Sequence, residues 1–338
     1  MKKCALLLSL LLLTGCTANE EKVQEETVKE EVVDNAENTE ENKTEDKVDS
    51  EASIISSNDF FEPFKGKLDH VHGIGYVGNA NAVFFAAHDG LKVYENNKWF
   101  QTKDQNHDYM GFNAVKDGFF TSGHPAPGSK LPNPFGIKMG TELGENLESI
   151  VLEGEIDFHV MGVGYESNTI YAMNPHANSL LKEEGALYIS EDKSGSWKKA
   201  SAKGLGKEVF HLTAHPTNPD IVAVAAKDGI YLSTDKGESF NHISKNQGTT
   251  VFLSDHHLYY SGYNGQPTLV KLMLETNEEQ SLILPSNMSK NDAVMYLAQN
   301  PKNLNEIIFI TFEGDIFITE DEGNTWHQLS EKGNINSK

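Results

Sequence analysis

The 338-residue chain contains no arginine: all 28 of its basic residues other than histidine are lysines. Sites that grip a carboxylate or phosphate through bidentate guanidinium forks are therefore excluded. Cysteine is almost as scarce, with Cys4 and Cys16 alone, so a disulfide framework or a cysteine-rich metal site has no material to form from. No apolar run is long enough to span a bilayer; the longest, from Ala5 to Leu13, is interrupted by Ser9. G-x-S-x-G, H-E-x-x-H, P-loop and C-x-x-C patterns are all missing. Residues 19–52 hold no glycine, proline or aromatic residue, while carrying fourteen acids and four lysines.

The amino-terminal text accounts for the short apolar run. Lys2 and Lys3 precede it and Leu13-Thr14-Gly15-Cys16 follows, the layout of a secretory signal. Those four residues resemble a bacterial lipobox, which implies cleavage after residue 15 and a diacylglycerol on Cys16. Such a two-chain lipid anchors a protein to the membrane without a transmembrane helix. The expected organisation is a cleaved leader over 1–15, a lipidated Cys16 with a disordered acidic tether over 16–52, and a folded domain over 53–338. The tether assignment follows from composition, because so little apolar surface cannot offset the entropy of ordering. From residue 53 onward 36 acids face 22 lysines, a balance that repels nucleic acid and anionic lipid surfaces. A monomer with an extracytoplasmic location is expected.

Two internal repeats set the fold class. The stretch His70-Val-His72-Gly-Ile-Gly-Tyr76 returns as His159-Val-Met161-Gly-Val-Gly-Tyr165. Its first copy also satisfies G-x-G-x-x-G, but a turn and the strand text Val83-Phe-Phe-Ala-Ala follow where a dinucleotide fingerprint needs a helix. The glycines instead indicate close strand packing. The second repeat is Ser190-Glu-Asp192-Lys-Ser-Gly-Ser-Trp197, Ser233-Thr-Asp235-Lys-Gly-Glu-Ser-Phe240 and Thr319-Glu-Asp321-Glu-Gly-Asn-Thr-Trp326, each after an apolar strand. The aspartates stand 43 and then 86 residues apart. A period of this size with short strands indicates a β-propeller. Dividing residues 68–330 by that period gives about six blades; a seventh would have to draw on residues 53–64.

The second repeat resembles the Asp-box, S-x-D-x-G-x-[ST]-W, with Ser194 standing where that motif has glycine and Phe240 where it has tryptophan. Together with the H-x-H-G opening, the Ser122-Gly-His-Pro125 turn and the Asp157-Phe-His159 segment, it makes the region similar to secreted bacterial Asp-box (BNR-type) propellers of the glycosyl hydrolase-like and sortilin-like groups. The resemblance implies an all-β propeller, and an activity only weakly. Sialidases of that fold clamp their substrate with arginines, so a conventional sialidase is excluded. Asp192, Asp235 and Asp321, with Trp197, Phe240 and Trp326, are expected to brace turns rather than to react.

Up-and-down topology places the start of every first strand and the end of every second strand on one face of the ring. His70, His72, His88, Met110, His124, His159, Met161 and His211 fall there, an imidazole and thioether set that suits copper or another transition metal. Strand alternation expects His70 with His72, and His159 with Met161, to point in pairs. Asp69, Asp108 and Asp157 start first strands on the same face and supply the only evident pair for glycoside hydrolysis, or else orient neighbouring imidazoles. Histidines 107, 176, 215, 242, 256, 257 and 327 are expected in solvated loops and turns. Three functions stay open: a metal-binding mouth, a hydrolase of cell-wall or external glycans, and a scaffold for an envelope protein.

Overall fold

A computed structural model describes residues 54–335; the expected leader, Cys16 and the whole of the tether lie outside them. The described chain is all-β, apart from two single-turn 3-10 segments. Six antiparallel sheets follow one another along the sequence, and each is built from four consecutive strands laid side by side in chain order. Their first strands are Val71–Tyr76, Asp108–Val115, Met161–Val163, Val209–Ala214, Gln247–Leu253 and Val294–Gln299, in blades one to six. No helix among the described residues is long and apolar enough to cross a membrane.

Six separate apolar clusters fill the joints, one between each neighbouring pair of blades, including the joint of blade six with blade one. This explains the strand text. A second strand such as Val83–Ala87, Val222–Ala226 or Ile307–Thr311 is buried along its whole length because both sheet faces meet a neighbour, so it reads as a continuous apolar run rather than an alternation. Fourth strands form the rim, and Lys198–Lys199 and Glu279–Ser281 are polar and exposed. Nearer the axis the blades crowd. A Cβ on Gly75 would stand 2.5 Å from the Ala114 Cβ of blade two, and one on Gly162 would stand 2.6 Å from Leu212 of blade four. The paired glycines of the repeated stretch are therefore packing residues.

The ring holds six blades. Residues that a seventh would have needed instead form the strand Phe61–Pro63, which pairs with the outer strand Lys98–Thr102 of blade one. At the other end Asn334–Ile335 adds a fifth strand to blade six. The segment leading from Phe61–Pro63 into blade one's first strand meets the second addition: Lys67 bridges Asn334, and the Leu68 N–H donates to the Gly333 carbonyl at 2.8 Å.

The repeated aspartate turns join third to fourth strands in blades three, four and six, with one hydrogen-bond pattern throughout. In the turn around Asp235, one carboxylate oxygen accepts from the Ser239 N–H at 2.9 Å and from the Ser233 hydroxyl at 2.7 Å. The other accepts from the Ser239 hydroxyl at 2.5 Å. Asp192 and Asp321 repeat this with Ser190 and Ser196, and with Thr319 and Thr325. These donors hold all three carboxyls below the usual aspartate range, Asp321 down to about 2. Carboxylates saturated in this way are structural.

Each turn holds two consecutive left-handed residues, the second being Gly237 (φ 77°), Gly323 (φ 88°) and, in blade three, Ser194 (φ 76°), after Lys236, Glu322 and Lys193. Ser194 bears the steric cost of that conformation, about 1 kcal/mol, and its buried hydroxyl has no partner. Ser194→Gly is expected to stabilise the fold by about 1 kcal/mol, after allowing for the extra backbone entropy of glycine. The expected rise in melting temperature is about 2–4 °C, measured by calorimetry; an unchanged or lower value would contradict the strain assigned to this turn.

Candidate functional site

Five of the six first strands carry a β-bulge close to the mouth where they begin. A bulge leaves one residue without a ladder partner and turns its side chain out of the alternation. In blade one that residue is His72, between the paired Val71 and Gly73. In blades four, five and six the extra residues are Phe210, Thr249 and Met295, and all three line a cleft of about 580 Å³ on the opposite half of the mouth.

The expected pairing by alternation therefore fails. His70 precedes the strand with φ 46° and is exposed, its Nδ1 3.3 Å from the Asp69 carboxylate and its ring centroid 4.9 Å from that of His88. His159 is exposed, whereas Met161 is buried in the joint between blades two and three among Val115, Phe120 and Phe158. Met110 is likewise buried, opposite Ser122.

What the fold does bring together is a row of imidazoles and carboxylates across blades one to three. His72 Nε2 lies 3.3 Å from His88 Nε2, and His88 Nδ1 lies 2.8 Å from Asp108 Oδ1. His72 Nε2 is 3.8 Å from the same oxygen. One ligand atom from each of these three residues can be chosen so that all lie within 4.8 Å of one another. One blade further on, His159 Nε2 and His124 Nε2 stand 2.7 and 3.3 Å from Asp157 Oδ2. In both groups the second strand of one blade ends in the histidine, and the aspartate sits at or just before the first strand of the next. Asp108 and His124 are cross-strand partners, so the two groups are contiguous.

The buried Asp157 carboxylate has the imidazoles of His124 and His159 beside Oδ2, and Asp108 Oδ1 is buried without a hydrogen-bond donor. Buried acceptors are seldom left in that state without an ion or water to fill it. Burial, aided by His88, pushes the His72 imidazole down to about 4, against the attraction of Asp108. It is neutral at physiological pH and offers a lone pair. A hydrogen bond from its imidazole to Asp157 raises His159 above its ordinary value, while burial opposes the rise.

His211 is not part of the row. Its Nδ1 accepts from the Thr250 hydroxyl at 3.0 Å and the Val251 N–H at 3.4 Å, stitching blade four to blade five. With Tyr296 it lines both the cleft and a cavity of about 290 Å³ along the axis, and so stands between them. Two histidines expected to be solvated are instead buried: His107 Nδ1 accepts from Ala126 N–H, and His215 Nδ1 from Asn218 N–H, each ordering a turn. Sequence reasoning did not single out Asn133, whose Oδ1 accepts from His124 Nδ1 at 2.7 Å. Nor did it reveal that His72 is a bulge residue; no residue pattern marks a bulge in this strand.

No protein-family model and no curated protein matches the chain. Among solved structures it is similar to the GH74 enzyme of Niastella koreensis (TM-score 0.53, 16% identity), covering 80% of this chain and 47% of that one. It is also similar to the GH74 xyloglucanase of Xanthomonas campestris (0.50, 12%; 80% and 46%) and to the extracellular domain of BT4673 from B. thetaiotaomicron (0.50, 11%; 80% and 35%). The chain spans less than half the length of each, and at these identities the likeness is one of fold.

Burial, partly offset by the Val251 bond, lowers His211 to about 4, below the 6.5 of an unfolded histidine. Between these values the unfolded chain binds the extra proton, so stability is full above about pH 6.5 and falls as pH drops towards 4. The cavities flanking the ring bring solvent near it, which sets an upper limit of about 3 kcal/mol on this contribution. His211→Gln is expected to lessen the slope of the stability profile over this window in denaturant titrations, the remainder coming from His72, which is lowered to about 4 as well; an unaltered slope would show that His211 does not contribute to it.

Proposed function

We propose that the protein is an extracytoplasmic β-propeller, held at the membrane by a lipid on Cys16 through the acidic tether, whose mouth binds a divalent transition-metal ion. His72, His88 and Asp108 are the ligands. The observation that carries this reading is the buried, donor-less Asp108 Oδ1 with two imidazoles converging on it. Bonds of about 2.0–2.2 Å place neighbouring ligand atoms roughly 3–3.5 Å apart; with His88 bound through Nδ1, Asp108 Oδ1 lies 2.8 Å from that nitrogen and 3.8 Å from His72 Nε2, and one atom from each of the three residues can be chosen within 4.8 Å of the others. The net negative charge of the domain favours cation capture.

The donor set narrows the metal. Met110 and Met161 are buried in the sheets rather than gathered with the imidazoles, and a carboxylate joins instead. Two imidazoles and one carboxylate suit zinc, copper(II), nickel or iron(II) better than copper(I), and leave coordination positions for water or an outside ligand.

The glycan-hydrolase reading draws on the GH74 enzymes among the similar folds and on Asp69, Asp108 and Asp157. Asp108 and Asp157 face imidazoles of the preceding blade, the posture of oriented ligands rather than of an acid and base flanking a sugar bond. A glycan panel decides this point: turnover by wild type that Asp157→Asn abolishes would favour the hydrolase.

Protein prepared without a His-tag or chelator is expected to take up zinc stoichiometrically. His72→Ala with His88→Ala should weaken the uptake at this site by about 100-fold or more, with the circular dichroism spectrum unchanged. Equal affinity in wild type and the double variant would overturn the assignment.

A further inference from the structure

We infer that the cleft on the blade four to six side of the mouth is a second binding site, and that its occupant is an uncharged sugar ring. Its residues are separate from the proposed metal ligands, and the inference does not depend on them. The cleft is built at equivalent places in the fold. The bulge residues Phe210, Thr249 and Met295 stand where blade one has His72. Tyr263 ends a second strand and Phe312 directly follows one, as His88 does in blade one. All of these line the cleft of about 580 Å³, a volume in the usual range for small-molecule sites.

Among the described residues Phe210 and Phe312 are the only exposed phenylalanines, 45% and 58% accessible, and both lie in this cleft. Core packing does not account for them. Phe312 is held in place on both sides: its own N–H donates to the Ala293 carbonyl at 3.1 Å, and the N–H of Glu313 donates to the Asp292 carboxylate at 3.2 Å. A fixed aromatic ring open to water is apolar surface that the C–H face of a ligand can cover.

The polar groups decide the class of ligand. Thr249 is more than nine-tenths buried, and its hydroxyl has no hydrogen-bond partner. A wholly apolar occupant would leave that hydroxyl unsatisfied. The exposed side-chain amides of Gln247 and Asn291 can each donate and accept. No free charge lines the cleft. Its one carboxylate, Asp292, is buried and accepts from the Ala293 and Glu313 N–H groups, burial keeps His211 neutral, and no lysine reaches the lining. A cation therefore finds no open counter-charge, and an anion meets a domain of net negative charge. A neutral pyranose fits what remains, with a C–H face for the phenylalanines and a rim of hydroxyls for Thr249 and the amides. The lining holds no second carboxylate to flank a sugar bond, so the sugar is bound there and not cleaved.

Saturation-transfer NMR on the full chain, with affinities from isothermal calorimetry, tests the inference against neutral disaccharides of glucose, galactose, mannose and N-acetylglucosamine, and against disaccharides of glucuronic and galacturonic acid. At least one neutral disaccharide should bind, with and without zinc, and the acidic ones should bind about tenfold more weakly or not at all. Phe210→Ala and Phe312→Ala should each weaken binding by about tenfold. Thr249→Val keeps the shape of the side chain and removes only the hydroxyl; it should weaken binding by about fivefold while leaving the melting temperature unchanged or higher, because the free protein loses no hydrogen bond. His72→Ala with His88→Ala should bind the sugar as wild type does, so failure of the metal reading and failure of this one are told apart. The inference is overturned if no neutral disaccharide binds, or if affinity survives Phe210→Ala combined with Phe312→Ala. Tighter binding of N-acetylphenylalaninamide than of any sugar would also overturn it, and would assign the cleft to an apolar side chain.

Discussion

Every blade of this ring is a sheet with two apolar faces, and neither face can be left in water. A strand such as Val83–Ala87 is buried on both sides only because blades two and six flank its sheet, so no blade has a stable surface of its own. Two-sided burial of that kind is satisfied for all blades at once only when the row closes on itself. The polar fourth strands, the close glycine contacts near the axis and the braced aspartate turns are all consequences of packing six such sheets around a common line.

The same closure concentrates chemistry at one end. Bulges near the start of the first strands release His72, Phe210, Thr249 and Met295 from the sheet pattern and present them at the mouth. Blades one to three fill that rim with imidazoles and carboxylates, and blades four to six with aromatic and apolar groups. The polar half is built from the joints themselves, because each aspartate belongs to one blade and its facing histidine to the blade before. A cation bound there would tie neighbouring blades together, so binding and the integrity of the ring are linked.

Much of the fold is legible in the sequence because its determinants are local and repeated. The three aspartate turns recur with the blade period, and the apolar second strands read as runs. The strand Phe61–Pro63 is not legible, since three residues carry no periodicity and its pairing partner lies on the rim of blade one. At the mouth, His88 with Asp108 and His124 with Asp157 come together where the ends of second strands face the starts of the next blades. His72 reaches the site through a bulge rather than by alternation, whereas Met161 opens an unbulged strand and packs into the joint, and His159 lies before that strand, outside any two-residue period. Asn133 acts from a connecting loop between blade two's second and third strands, where spacing along the chain says little about contacts.

The two short added strands give the ring one joint unlike the others. Between consecutive blades the backbone itself passes from sheet to sheet, so separating them leaves a covalent tie. Between blades six and one no backbone passes directly, and the joint depends on apolar packing around Leu68, Val71 and Ile310, with the bridge of Lys67 to Asn334 and the Leu68–Gly333 bond beside it. The propeller thus has a clasp: this joint is held by packing and hydrogen bonds, with no chain crossing from one sheet to the next.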